Sequence, residues 1–113
     1  MPTPRVVLAL TLRAAEQAGI RLADMQDVQK LMHKMKERLP DVYAGFVFSE
    51  FYPYPWSYEV EDGMLSLLTD GYVVWVGLFQ TCPEVKELCE RYAGEYEKIR
   101  EAITHVLLDS SAL

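Results

Sequence analysis

Cysteine and histidine, which supply many metal ligands and catalytic nucleophiles, are scarce in this sequence. The 113 residues include two cysteines, Cys82 and Cys89, and two histidines, His33 and His105. The two thiols are seven positions apart without zinc-site spacing, and neither histidine accompanies a nucleophile motif. We therefore expect a reduced, cytoplasmic protein that is not an enzyme and that holds no metal ion or cofactor.

Long apolar runs and glycine-rich loops are also missing. The apolar run over residues 6–12 is too short to span a bilayer. Its helical pattern continues into Arg13 and Glu16, which is unlike a signal peptide. The six glycines are scattered, so no phosphate-binding loop is present. We expect neither membrane contact nor a targeting segment.

Basic residues are absent from the middle of the chain. Residues 43–81 contain no lysine or arginine, but they contain five acidic residues. Residues 1–42 carry seven basic and five acidic residues, while the whole chain has a formal charge of −6. This balance argues against a general affinity for nucleic acids or anionic membranes. The middle segment is the acidic part of the molecule.

Two helices are predicted in the first forty residues. Thr3-Pro4 predicts the start of a helix that ends before Gly19, and this helix is apolar on most faces. Asp24 caps a second helix that Pro40 stops. The apolar stripe of the second helix consists of Met25, Val28, Met32, Met35 and Leu39. A core position is the expected role of this stripe, with an adaptable binding surface as the alternative.

The middle segment predicts a strand, a stiff loop, a helix and a hairpin. We expect a strand over residues 43–51 and an extended, proline-bound loop after it. Ser57 is a suitable N-cap for a third helix that ends at Asp70-Gly71. Strands are then predicted over residues 72–76 and 78–80, with a reversal at Gly77.

The last part of the chain predicts one long helix over residues 83–108. Apolar side chains recur there at alternating spacings of four and three residues. They are Val85, Cys89, Tyr92, Tyr96, Ile99, Ile103 and Val106. Such a helix is about 36 Å long, so we predict a homodimer that forms through this stripe. The alternative is a helix that packs along its own domain.

The order of these elements is that of a winged helix-turn-helix domain. The sequence YPWSYEV at residues 54–60, followed by MLSLLTDGYV at residues 64–73, resembles the third helix and wing of that superfamily. The likeness is greatest to small prokaryotic and archaeal domains of the antitoxin-associated Panacea type, and it covers roughly residues 20–90. At the start of the last helix, Cys82 and Pro83 stand where this superfamily usually has glycine and basic residues.

This resemblance implies double-stranded DNA binding, with residues 57–70 as the recognition helix in the major groove. The residues present disfavour that mode, because duplex affinity depends on lysine and arginine contacts with phosphates. Any DNA contact is instead expected from the basic second helix and the turn before it. The candidate residues are Arg21, Lys30, Lys34, Lys36 and Arg38.

Aromatic residues recur at every second position across the proline loop. They are Tyr52, Tyr54, Trp56 and Tyr58. One interpretation is a lid over the core. The other is a rigid, acidic surface for a protein partner, since tyrosine and tryptophan supply contact area at low entropic cost.

Together these observations predict an α+β, mainly α fold: a single winged-helix domain over residues 1–113 with short antiparallel strands. Within it, residues 1–19 form the N-terminal helix, residues 20–80 the winged-helix core and residues 83–108 the dimerisation helix. The expected function is that of a non-catalytic, transcription-regulator-like dimer that acts through protein contacts or atypical DNA binding. The alternative is an interaction or structural module that has lost DNA binding.

Overall fold

The computed structural model describes residues 2–109, in which the chain forms five helices and two small antiparallel sheets. The elements in order are α1 (Pro4–Gln17), α2 (Met25–Arg38), β1 (Phe48–Ser49), β2 (Trp56–Ser57), α3 (Tyr58–Thr69), β3 (Val73–Trp75), β4 (Phe79–Thr81), α4 (Pro83–Arg91) and α5 (Ala93–Asp109). The predicted α+β, mainly helical class is confirmed. Within residues 2–109, no helix is long and apolar enough to cross a membrane.

Helix α1 is the centre of the core, as its apolar composition predicts. It packs against α3, α4 and α5, and its buried side chains include Val7, Leu8 and Leu10. Gly63 allows α3 to approach α1 closely, since a Cβ atom there would lie 2.9 Å from Leu8 Cδ2. The hydrophobic effect at α1 therefore holds the other helices together.

The predicted ends of the first three helices are confirmed to within one residue. The side chains of Thr3, Asp24 and Ser57 accept hydrogen bonds from the first-turn amides of α1, α2 and α3. The predicted reversal is also confirmed, because Gly77 has a φ of 88° between β3 and β4. Few residues other than glycine tolerate that backbone conformation.

The prediction of a strand over residues 43–51 is wrong. Only Phe48–Ser49 is a strand, and it pairs with Trp56–Ser57, which the sequence did not predict as a strand. The chain turns at Tyr43, where the Phe46 amide donates to the Tyr43 carbonyl at 3.1 Å. The turn lets the rings of Tyr43 and Phe46 both enter the core. In a strand, residues 43 and 46 would have pointed to opposite faces of the sheet.

The prediction of one continuous helix over residues 83–108 is also wrong. The helix breaks at Tyr92, which has φ −112° and ψ 44°, and a new helix begins at Ala93. The break lets α4 and α5 each pack on α1, and α5 also packs on α2.

The residues of the proposed dimer seam consequently lie in or against the core of their own chain. Those that are buried are Val85, Cys89, Ile99, Ile103 and Val106. Tyr92 and Tyr96 are half-buried, and the Tyr96 hydroxyl donates to Gln17 Oε1. These positions correspond to the alternative of a helix that packs along its own domain, and a homodimer stays a prediction.

Replacing Ile103 by alanine should lower the free energy of unfolding by about 2–5 kcal/mol, because it removes a fully buried side chain. Urea unfolding measures this loss. The exposed Glu101→Ala on the same helix is the matched control and should change stability by less than about 0.5 kcal/mol. Dissociation of a dimer by Ile103→Ala without loss of monomer stability would contradict the buried position.

Candidate functional site

The side chain of Gln29 joins α2 to the β1–β2 hairpin and the start of α3. Gln29 is fully buried, its Nε2 donates to the Ser57 carbonyl at 2.9 Å, and its Oε1 accepts from the Ser57 amide at 2.8 Å. Ser57 is also the N-cap of α3. Gln29 thus fixes the hairpin and the start of α3 to α2. Its position among the polar residues of a predicted helix did not indicate this role.

Four further contacts hold this region in place. Glu59 Oε1 accepts from the Val47 amide at 2.7 Å and from the Ser57 hydroxyl at 3.2 Å. Lys36 Nζ donates to the Phe46 carbonyl, and the His33 ring meets the Phe48 ring edge-on at a centroid distance of 5.1 Å. Lys36 is therefore engaged with the backbone beside β1.

Large apolar side chains remain exposed on the hairpin. We define the hairpin surface as Val47, Phe51, Tyr52 and Tyr58, which are 69%, 99%, 49% and 62% exposed. Of the predicted aromatic cluster, Tyr52 and Tyr58 are exposed, while Tyr54 and Trp56 are half-buried. The pattern of an aromatic residue at every second position did not predict Val47 and Phe51 as part of this surface, because neither belongs to it.

Two rings of the aromatic cluster contact each other. The rings of Tyr52 and Trp56 lie 4.9 Å apart between centroids, in a tilted arrangement. Such aromatic pairs add stability beyond the area that they bury. The lid over the core and the partner surface both stay predictions.

The solvent face of α3 is apolar and acidic. Tyr58, Asp62, Leu65 and Thr69 follow one another at helical spacing and are all exposed. Glu61 is half-buried beside Asp62 in the first two turns. This face of α3 thus carries carboxylates and no cation.

Four of the five predicted DNA-binding residues lie together on another face. We define the basic groove as the concavity of about 410 Å³ that Arg21, Lys30 and Lys34 line together with Asp27. Its apolar lining consists of Ile20, Leu22, Leu31, Val106 and Leu107. Arg38 lies beside Lys34 in an adjoining groove between α2 and α5.

Burial shifts the pKa of side chains in the core. It raises the pKa of the Cys89 thiol, which disfavours the thiolate. Burial likewise raises the pKa of Tyr43, whose hydroxyl lies 2.7 Å from the Thr11 hydroxyl. Among residues 2–109, no three side chains of the metal-binding types cluster together.

Comparisons with known proteins returned no family model, curated protein or solved structure that matches the chain. The candidate functional regions are therefore the two surfaces defined above, the hairpin surface and the basic groove.

Replacing Gln29 by alanine should lower the free energy of unfolding by about 1–3 kcal/mol, because the buried Ser57 amide and carbonyl lose their partner. Urea unfolding measures the loss, and amide hydrogen exchange at Ser57 should accelerate with it. The matched control is Gln26→Ala on the exposed side of α2. Equal stability of the two variants would show that Gln29 does not anchor the hairpin.

Proposed function

We propose that the protein is a non-catalytic, transcription-regulator-like interaction module with a winged-helix fold. The order of α3 and the β3–β4 hairpin corresponds to a third helix followed by a wing. The sequence resemblance at residues 54–73 supports the same assignment. At the tip of this hairpin, Trp75 Nε1 donates to the Ala23 carbonyl at 2.8 Å, which ties the wing to the turn before α2.

The observation that carries the proposal is the exposure of the hairpin surface. Phe51 is 99% exposed and lies between Glu50 and Tyr52, in a hairpin that Gln29 fixes to the core. An apolar surface on a fixed support loses little conformational entropy when a partner covers it. Tyrosine at such a position is a frequent hot spot of protein interfaces.

The charges around the hairpin surface specify the chemistry of the partner. Glu59 is occupied by the Val47 amide, but Glu50 and Asp62 are exposed and Glu61 is half-buried. No basic residue occurs from residue 43 to residue 81. The occupant that fits is a protein surface with an apolar centre and a rim of lysine and arginine, since complementary charges favour association.

The same charges disfavour insertion of α3 into a DNA groove. Phosphates close to Asp62 and Glu61 would be repelled, and no cation on α3 would offset that repulsion. Protein contact is therefore the function that this face supports best.

A photo-crosslinking amino acid at position 51 should capture a discrete partner that the same group at the exposed position 101 of α5 does not capture. The purified partner should then bind the wild-type chain, and Tyr58→Ala should weaken binding about thirtyfold, as expected for a loss of about 2 kcal/mol. Calorimetry measures both affinities. Thr69→Ala, on the last turn of the same helix, is the matched control.

Two results would contradict this proposal. One is equal affinity of wild type and Tyr58→Ala for the purified partner. The other is a partner whose contact residues are acidic, because Glu50 and Asp62 would then face like charges.

A second candidate function is duplex DNA binding through the face of α2. The observation that favours it is the proximity of Arg21, Lys30 and Lys34, with Arg38 in the adjoining groove. Each phosphate contact makes binding weaker as salt concentration rises.

Titration of a fluorescent duplex at low and high salt tests this candidate. It predicts salt-sensitive binding that Lys30→Glu combined with Lys34→Glu abolishes and that Tyr58→Ala leaves unchanged. Absence of binding at micromolar protein under both salt conditions would eliminate duplex recognition and leave the interaction module.

A further inference from the structure

The basic groove has the shape and lining of a small-molecule site. Its volume of about 410 Å³ falls within the range of about 300–1,000 Å³ that is usual for ligand pockets. Such pockets combine an apolar lining with a few polar groups that fix the orientation of the ligand. The groove has both an apolar lining and polar groups. None of its lining residues belongs to the hairpin surface.

The apolar lining comes from three different parts of the chain. Ile20 and Leu22 belong to the turn between α1 and α2, Leu31 to α2, and Val106 and Leu107 to α5. Leu31 is buried in the core, whereas Leu107 is 41% exposed at the edge of the groove. Leu22 and Val106 are buried as well, so Ile20 and Leu107 carry the aliphatic area that remains in contact with water. A ligand with an aliphatic chain would remove that area from water.

The charged groups of the groove favour an anion at one end of that ligand. Arg21, Lys30 and Lys34 line it together with one carboxylate, Asp27. Asp27 Oδ2 accepts from the Ala23 amide at 2.9 Å, and the charge of this carboxylate offsets one of the three cations. The remaining excess of positive charge favours an incoming anion.

The groove does not select the charge of that anion. Because its cations outnumber its one carboxylate, both a carboxylate and a phosphate are attracted. The arginine fork of Arg21 matches the geometry of either group.

We propose that the basic groove binds an aliphatic amphiphile with an anionic carboxylate or phosphate head group. The hydrocarbon chain lies along Ile20 and Leu107, and the head group pairs with Arg21, Lys30 and Lys34. A DNA backbone would contact the same cations but would leave the aliphatic lining unused. This inference goes beyond the proposed partner function and does not depend on it.

The test is a titration of the full chain with decanoate below its micelle concentration, followed by calorimetry and by NMR of the isoleucine and leucine methyl groups. We expect saturable binding with shifts at Ile20 and Leu107. Lys30→Gln combined with Lys34→Gln should weaken it about tenfold or more, because two charge-assisted contacts are lost. Lys86→Gln, an exposed lysine on α4 outside the groove, is the matched control and should bind within about twofold of wild type.

Three ligand probes separate the two halves of the proposal. Decanol, which lacks the charge, should bind about tenfold more weakly than decanoate. Acetate, which lacks the chain, should show no saturable binding. Decyl phosphate should bind at least as tightly as decanoate, because the cations of the groove outnumber its one carboxylate.

The proposal is overturned if decanoate does not saturate, if the double variant binds it as wild type does, or if decanol or acetate matches it. Weaker binding of decyl phosphate than of decanoate would contradict the pairing of the head group with the cations. Arg21→Gln, on an exposed turn, gives a second variant if the lysine double variant is unfolded by circular dichroism. The Tyr58→Ala variant should bind decanoate as wild type does. A failure of decanoate binding is therefore distinct from a failure of the partner proposal.

Discussion

The paired hydrogen bonds between the Gln29 side chain and the Ser57 backbone are the constraint on which the outer face of the protein depends. They are buried, and they fix the β1–β2 hairpin and the N-cap of α3 to α2 at one point. In a low-dielectric interior such a fully satisfied pair specifies one geometry, since any shift leaves buried polar atoms without partners. Tyr58, the residue after Ser57, is thereby held on a fixed support.

The distribution of charge then gives the molecule two chemically different surfaces. The hairpin surface adjoins carboxylates, and the basic groove combines cations with aliphatic side chains. Because Lys36 and Glu59 are both engaged in backbone contacts that hold the hairpin, they contribute to the fold and less to either surface. This separation is what a protein needs if it is to contact a basic partner at one place and an anion at another.

Local sequence signals predicted the helix ends well, because Thr3, Asp24, Ser57 and Gly77 act on their immediate neighbours. Long-range packing decided what the pattern missed. Residues 43–51 were predicted as a strand, yet Tyr43 and Phe46 both enter the core through a turn. The heptad-like stripe likewise marked a buried face, and the break at Tyr92 distributes it between two helices that pack on α1. Gln29 gave no signal, because its partner lies 28 residues away.

The central claim is that the hairpin surface, and not a DNA groove contact of α3, is where the protein acts. A crystal structure of the chain bound to the partner captured at position 51 tests it most directly. We predict that the partner covers Phe51 and Tyr58, with its lysine or arginine side chains facing Glu50 and Asp62. A complex in which α3 lies in the major groove of a duplex, with the hairpin surface still exposed, would contradict the account.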